Sequence, residues 1–227
     1  MQVYVLPDPG AVAEQAAEFI AAEARAAVSA RGCFTLALSG GQTPARMLRA
    51  LAVKEIPWED VSVFQVDERV APAGSPDRNL TLLREGLGHA PLRPTQIHPM
   101  PVELPDLQEG AESYVSILRE SAGAPPVLDL VHLGLGSDGH TASLMPGDPV
   151  LEVKDRDVAM SRIYQGMRRM TFTCPILDRS RRLLWVVTGS EKTEMLARLR
   201  KGDATIPAGL IRRDCALVFA DRAAAPD

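Results

Sequence analysis

A chain of 227 residues, 46% hydrophobic and 24% charged, is long enough to bury a substantial core and has the make-up of a globular protein. Its net charge of −4 argues against broad binding to nucleic acid or an anionic membrane, although 25 Lys+Arg residues remain to line a local basic pocket. Cys33, Cys174 and Cys215 are odd in number and widely spaced, so neither a disulfide framework nor a zinc knuckle is expected, and they read as small buried side chains. The N-terminus MQVYVLPDPG lacks the basic start and apolar stretch of a signal peptide, and no run approaches the ~20 apolar residues of a membrane span. A cytoplasmic location is the expectation.

Along the chain, strand and helix patterns alternate. Val3–Leu6 is a short strand, and the Ala/Glu-rich stretch 10–32 is a helix closed by Gly32. CFTLALSGG is a strand, TPARMLRALAV a helix and VSVFQVDER a strand. NLTLLREGLG is helical, followed by a Pro-rich connection (86–107) and a helix in LQEGAESYVSILRESAG. LDLVHLGLG and RRMTFTCPIL are strands, RRLLWVVTG another, SEKTEMLARLRKG a helix and CALVFAD a last strand. No repeat or polar linker divides the chain, so residues 1–227 read as a single domain. Repeated strand–helix units imply an α/β fold with a mostly parallel, Rossmann-like sheet flanked by helices. Such sheets bind ligands outside the carboxyl ends of their strands, which makes the residues just after each strand the ones to inspect.

Four such ends carry chemistry. SGGQTP (39–44) offers the Ser39 hydroxyl and the close backbone approach of Gly40 and Gly41, with Thr43 as a helix cap and Pro44 in the first turn. A glycine loop feeding a helix N-terminus suits a phosphate, though a tight, well-capped turn would look the same. DERVAPAGSPDRN groups Asp67, Glu68 and Arg69 where a strand stops, and Arg69 and Arg78 can each pair with a phosphate or a carboxylate. LGLGSDGHTASLMPG places His140 after a strand, with Asp138 two residues before it and TASL as the start of a short helix. A neutral imidazole accepts a proton near neutral pH, and either Asp138 or Asp67 is available to fix its tautomer. GSEK (189–192) repeats the loop-then-helix device, and Lys192 opposes the helix dipole unless an anion, or Glu191 or Glu194, offsets it. His132, inside a strand, reads as a satisfied core or edge residue, and His89 and His98 as solvated. No Cys/His/Asp set has trusted metal-ligand spacing, no G-x-S-x-G elbow is present, and GLGSDG falls short of the dinucleotide fingerprint. Together these ends point to acid–base chemistry on a small phosphorylated substrate.

LALSGGQTP, FQVDERVAP…SPDRN, DLVHLGLGSDGHTASLMPG, RRMTF, VVTGSEK and PAGLI occur in one order from about residue 34 to the end. In these pieces the chain closely resembles the 6-phosphogluconolactonases, which share a superfamily with the glucosamine-6-phosphate deaminases/isomerases. The resemblance implies a fold like that of ribose-5-phosphate isomerase and the CoA transferases. It implies hydrolysis of 6-phospho-D-glucono-1,5-lactone to 6-phosphogluconate, with no metal and no organic cofactor. Under it the substrate phosphate rests on Ser39–Gly41 and Thr43 with Arg69, Arg169 and Lys192 as candidate cations, and His140 activates water with Asp67 or Asp138 in support. The expected partner is a small sugar phosphate lactone; the oligomeric state, monomer or homodimer, stays open.

Two rival readings remain. Deaminases typically read DGHIAFNEP and DEY where this chain has DGHTASLMP and DER, so Met145 stands in place of a glutamate and cannot transfer a proton. A catalytically silent sugar-phosphate binding module would use the same loops without turnover. The lactonases commonly have PDSNY where PDRNL stands here, which leaves the role of Arg78 open.

Overall fold

The computed structural model describes residues 1–226, the side chain of Gln42 excepted. In chain order the elements are β1 (Gln2–Leu6), α1 (Pro9–Arg31), β2 (Phe34–Leu38), α2 (Gln42–Leu51), β3 (Val61–Gln65), β4 (Asp67–Arg69), α3 (Asn79–Gly86) and β5 (Ile97–His98). They continue with α4 (Leu107–Ala122), β6 (Leu130–Leu133), β7 (Val158–Met160), β8 (Arg169–Phe172), α5 (Cys174–Arg179), β9 (Arg182–Val187), α6 (Thr193–Lys201) and β10 (Ala216–Asp221). Local chemistry explains their limits. Asp8 caps α1 by accepting from the N–H groups of Gly10 and Ala11, and Gly32 ends it with φ 74°, a left-handed conformation that glycine adopts without steric cost.

Seven strands form one sheet in the order β1-β10-β9-β6-β2-β3-β5, and every pairing within it is parallel. Strands buried on both faces need near-continuous apolar sequence, and β2 is buried at all five positions. Alternate residues point to opposite layers. Phe34, Leu36, Leu38, Val63, Leu130 and Leu184 pack with α1 and α2, while Ala37, Phe64, Val131, Leu133 and Trp185 pack with α4, α5 and α6. From β2 the chain builds outward through β3 and β5, then returns to the other side of β2 as β6. The strand order therefore reverses between β2 and β6, which is where a parallel sheet opens a crevice at its carboxyl ends. Among the described residues no helix is long and apolar enough to cross a membrane.

The expected fold class is present, and four local expectations are corrected. VSVFQVDER is not one strand. The Val66 N–H bonds to Leu38 in the large sheet, while its carbonyl accepts from Phe172, so the chain crosses there into a second, antiparallel sheet of order β4-β8-β7. RRMTFTCPIL divides into β8 and α5, because Pro175 suits a helix start and cannot extend a strand ladder. TASL is a turn closed by a Thr141–Leu144 bridge, with Ala142 at φ 50°, instead of a helix start. His98 belongs to β5 and stacks on Phe64 at 4.6 Å, so it is not a solvated residue, and burial lowers its pKa.

Candidate active site

A cavity of about 320 Å³ opens at the carboxyl ends of β2, β6 and β9, within the size range of small-molecule sites. Ser39, Gly40, Gly41, Thr43, Asp67, Arg69, His140, Arg169 and Lys192 all line it. Asp138 stands behind His140 and does not line it.

At the end of β2, Ser39 donates its hydroxyl to the His132 carbonyl, tying the glycine turn to β6. A Cβ on Gly40 would fall 1.9 Å from Asn79 Oδ1, so only glycine lets this turn pack on α3. Gly41 occupies the N-cap of α2 at φ 121° and brings no side chain to the first-turn N–H groups. Thr43 is not the cap. It lies inside the first turn, and its hydroxyl bonds to that of Thr188 at 3.0 Å, joining the ends of β2 and β9.

The Asp67-Glu68-Arg69 triplet is a strand, not a solvated loop, and its alternation divides the labour. Asp67 and Arg69 face the cavity; Glu68 faces the scaffold. Glu68 is fully buried and accepts from the N–H groups of Asn79 (2.8 Å) and Leu80 (2.9 Å), capping α3 from a distance. It also accepts from the Arg69 N–H and pairs with Arg78 at 3.0 Å. Arg78 is 2% exposed and is shared with Glu103 and the Ala71 carbonyl, so it is structural and contributes no charge to the cavity. Of the two partners the sequence left open for it, a phosphate or a carboxylate, Arg78 takes carboxylates.

Asp67 accepts from the Ser143 hydroxyl at 2.6 Å and from Asn79 Nδ2 at 3.1 Å, not from His140. Burial pushes its carboxyl up, against the Ser143 hydrogen bond and the charges of Arg69 and Arg169. Arg69 lies directly opposite Arg169 across β4 and β8. Like charges in that register repel, and among the described residues neither has a carboxylate within salt-bridge distance. The Nε groups of both are buried without a partner. Burial, and then the Arg69 charge, lowers the Arg169 pKa. Lys192, at the junction of a short 3-10 turn and α6, also makes no ion pair among the described residues; Glu194 faces Arg198 instead. Three cations thus line a space in which, among the described residues, no carboxylate comes within salt-bridge distance of any of them, although Asp67 and Glu191 share the lining.

His140 Nδ1 is 2.5 Å from Asp138 Oδ1, which also accepts the His140 backbone N–H at 3.1 Å. A carboxylate on Nδ1 makes that nitrogen the donor and leaves Nε2 with its lone pair. Burial raises the Asp138 pKa, but the His140 backbone N–H and the charge and ring of His140 outweigh it and hold the carboxyl below its usual range. Gly136 makes the contact possible, since a Cβ there would lie 2.1 Å from His140 Nδ1 and 2.6 Å from Asp138 Oδ1. His132 is buried with both ring nitrogens lacking a hydrogen-bond partner, so it is a core residue but not a satisfied one; burial lowers its pKa to about 3 and keeps it neutral.

Sequence reasoning missed Asn79, Ser143, Thr188 and Tyr164. Asn79 and Ser143 stood inside quoted motifs, but they serve Asp67 from 12 and 76 residues away, which local sequence does not announce. Tyr164 carried no signal. Among the described residues no group of three or more His, Cys, Asp and Glu side chains is placed to hold a metal ion.

Comparison with known proteins follows the same lines. A 6-phosphogluconolactonase from Synechocystis is 37% identical over 203 residues, covering 87% of this chain and 84% of that one. The crystal structure of a 6-phosphogluconolactonase from Thermotoga maritima matches with a TM-score of 0.86 at 27% identity over 97% of this chain and 98% of its own. A monomeric glucosamine-6-phosphate deaminase matches nearly as well, TM-score 0.85 over 99% of both chains, but at 17% identity, so that likeness concerns the fold alone. The family model for glucosamine-6-phosphate isomerases/6-phosphogluconolactonase matches residues 7–219, and the chain belongs to that family.

Proposed function

We propose that this chain hydrolyses 6-phospho-D-glucono-1,5-lactone to 6-phosphogluconate, the second step of the oxidative pentose phosphate pathway. The observation that carries the reading is an imidazole with a free Nε2, backed by Asp138, on the wall of a cavity whose three cations, among the described residues, make no salt bridge. The substrate's phosphate rests against the Ser39–Gly41 turn and draws on Arg69, Arg169 and Lys192. Held at that end, the lactone carbonyl is oriented for attack, and the binding energy is spent on position. His140 Nε2 takes a proton from water as its oxygen adds to C1. The C1–ring oxygen bond then breaks, and the imidazolium returns the proton to the departing ring oxygen. Water is consumed, an ester becomes an acid and an alcohol, and His140 ends as it began. Asp138 holds the ring, and Asp67, fixed by Ser143 and Asn79, faces the substrate.

Met145 is buried at 4% exposure, so the segment after His140 brings no carboxylate to the ring, which disfavours deaminase chemistry. The N-terminal β1 pairs with the C-terminal β10, which supports one domain acting as a unit. Of the three cysteines only Cys174 is buried as expected, Cys33 being exposed and Cys215 half-buried, and all three are unpaired, which is compatible with a cytoplasmic location. A coupled assay that subtracts spontaneous lactone opening tests the reading. Wild type should turn over and His140→Ala should lose about 10²–10⁴-fold in kcat with little change in KM. Wild-type binding without turnover would make the chain a silent binding module instead.

A further inference from the structure

The hairpin between β7 and β8 reaches from the small sheet to the Asp138–His140 pair. Its tip is a two-residue turn in which Gln165 and Gly166 both have positive φ, 52° and 81°. That geometry matches the twist of the flanking strands and is closed by reciprocal bonds between Tyr164 and Met167. The hairpin's base is held by the Arg162 N–H on Asp148 and the Ser161 N–H on the Arg169 carbonyl. Tyr164 is therefore aimed by backbone on both sides.

Tyr164 meets both halves of the site. Its hydroxyl is 3.4 Å from Asp138 Oδ2, the carboxylate oxygen not used by His140, and its ring centroid is 6.1 Å from that of His140. On its other side the Arg169 guanidinium carbon sits 5.1 Å from the ring centroid, within cation–π range. The neighbouring Gln165 accepts from Arg169 Nη2 at 3.3 Å. Tyr164 does not line the cavity.

We infer that Tyr164 is a positioning residue for the hydrolysis proposed above: its hydroxyl steadies Asp138, and through it His140, while its ring face seats the Arg169 guanidinium that meets the substrate's anionic end. The inference rests on that functional reading for the substrate, and on the hairpin geometry for the coupling. The charged and titratable groups facing His140 and Asp138 are Tyr164 from the hairpin, Asp67, Arg69 and Arg169 from the small sheet, and Glu191 and Lys192 after β9. Tyr164 touches the Asp138–His140 pair and Arg169 together.

The sign of the effect follows from the hydrogen bond. A hydroxyl donated to Asp138 draws charge from the carboxylate and weakens its hold on the protonated ring. Removing it makes the Asp138–His140 pair keep its proton to higher pH. Tyr164→Phe retains the ring and removes only the hydroxyl. It should move the acidic limb of the kcat/KM–pH profile upward by about half a unit, the size expected of one weak hydrogen bond acting on a coupled pair. The His140 ring signals, followed by NMR in the free protein, should move in the same direction. Tyr164→Leu also removes the platform for Arg169, and should add a rise in KM of about tenfold. A Tyr164→Phe profile and ring titration both superimposable on wild type would overturn the inference. The NMR titration needs no turnover. A wild type without lactonase activity whose ring titration still moved in Tyr164→Phe would defeat the functional reading and leave the positioning role standing.

Discussion

Two arginine clusters lie side by side in this molecule, and their difference separates structure from function. Arg78 and Glu68 are buried together, and Glu68 is satisfied by Arg78, Gln65 Nε2 and three backbone N–H groups. Arg69 and Arg169 face each other across a two-strand ladder, and among the described residues neither has a carboxylate within salt-bridge distance. Arg169 is buried and Arg69 half-buried; holding two like charges in one register without a salt bridge is costly, and that cost is offset when an anion binds between them. The first cluster locks β4 onto α3; the second is left for an anion.

Substitutions in the two clusters should act in opposite ways. Glu68→Ala leaves Arg78 with Glu103 as its remaining carboxylate and strands the first-turn N–H groups of α3, and should cost about 3–5 kcal/mol of stability in urea unfolding. Arg169→Met removes a charge that burial and Arg69 both disfavour. It should leave stability unchanged or raised while increasing KM about 10–100-fold, the worth of a charge-assisted hydrogen bond. A Glu68→Ala protein of wild-type stability, or an Arg169→Met protein that unfolds, would erase the distinction. Asp67 sharpens it through pH. Its carboxyl is raised by burial, so the folded state holds that proton more tightly than the unfolded one, and the wild type loses stability as pH climbs through the ordinary Asp range toward the raised folded value. Asp67→Asn does not titrate, so its stability relative to wild type should improve from pH 4 to pH 7; a gap that stays flat would contradict the assignment. Asp8→Ala, remote from both clusters, should cost only about 1 kcal/mol from the α1 cap and leave KM alone.

The large sheet was legible because its strands are buried on both faces and bounded by glycine loops, and the strand-end rule led directly to Ser39–Gly41, His140 and Lys192. The small sheet was not. β4 and β7 are three residues long, β8 is four, and Asp67 pairs with Thr171, so neither periodicity nor proximity in the chain announces the ladder. For the same reason Arg169 entered through family resemblance, and its place opposite Arg69 emerged only from the fold. The long-range cap that Glu68 gives to α3 is equally invisible in local sequence, where Arg78 occupies the N-cap position with no capping side-chain bond. TASL misled because its residues suit a helix start, whereas Ala142 takes a left-handed conformation that turns Ser143 inward to Asp67. Which acid supports His140 was open in sequence; the geometry favours Asp138, two residues away on the same loop.

The ratio of kcat/KM for the 6-phosphorylated lactone to that for unphosphorylated glucono-1,5-lactone tests the central claim most directly, measured in wild type, Lys192→Ala, Arg169→Met and His140→Ala. The ratio should fall by about tenfold or more in the two cation variants, whose lost contact only the phosphorylated substrate used, and stay near the wild-type value in His140→Ala, where both rates drop together. Cation variants that slow the two substrates equally would contradict an anion site built from the unpaired charges around His140.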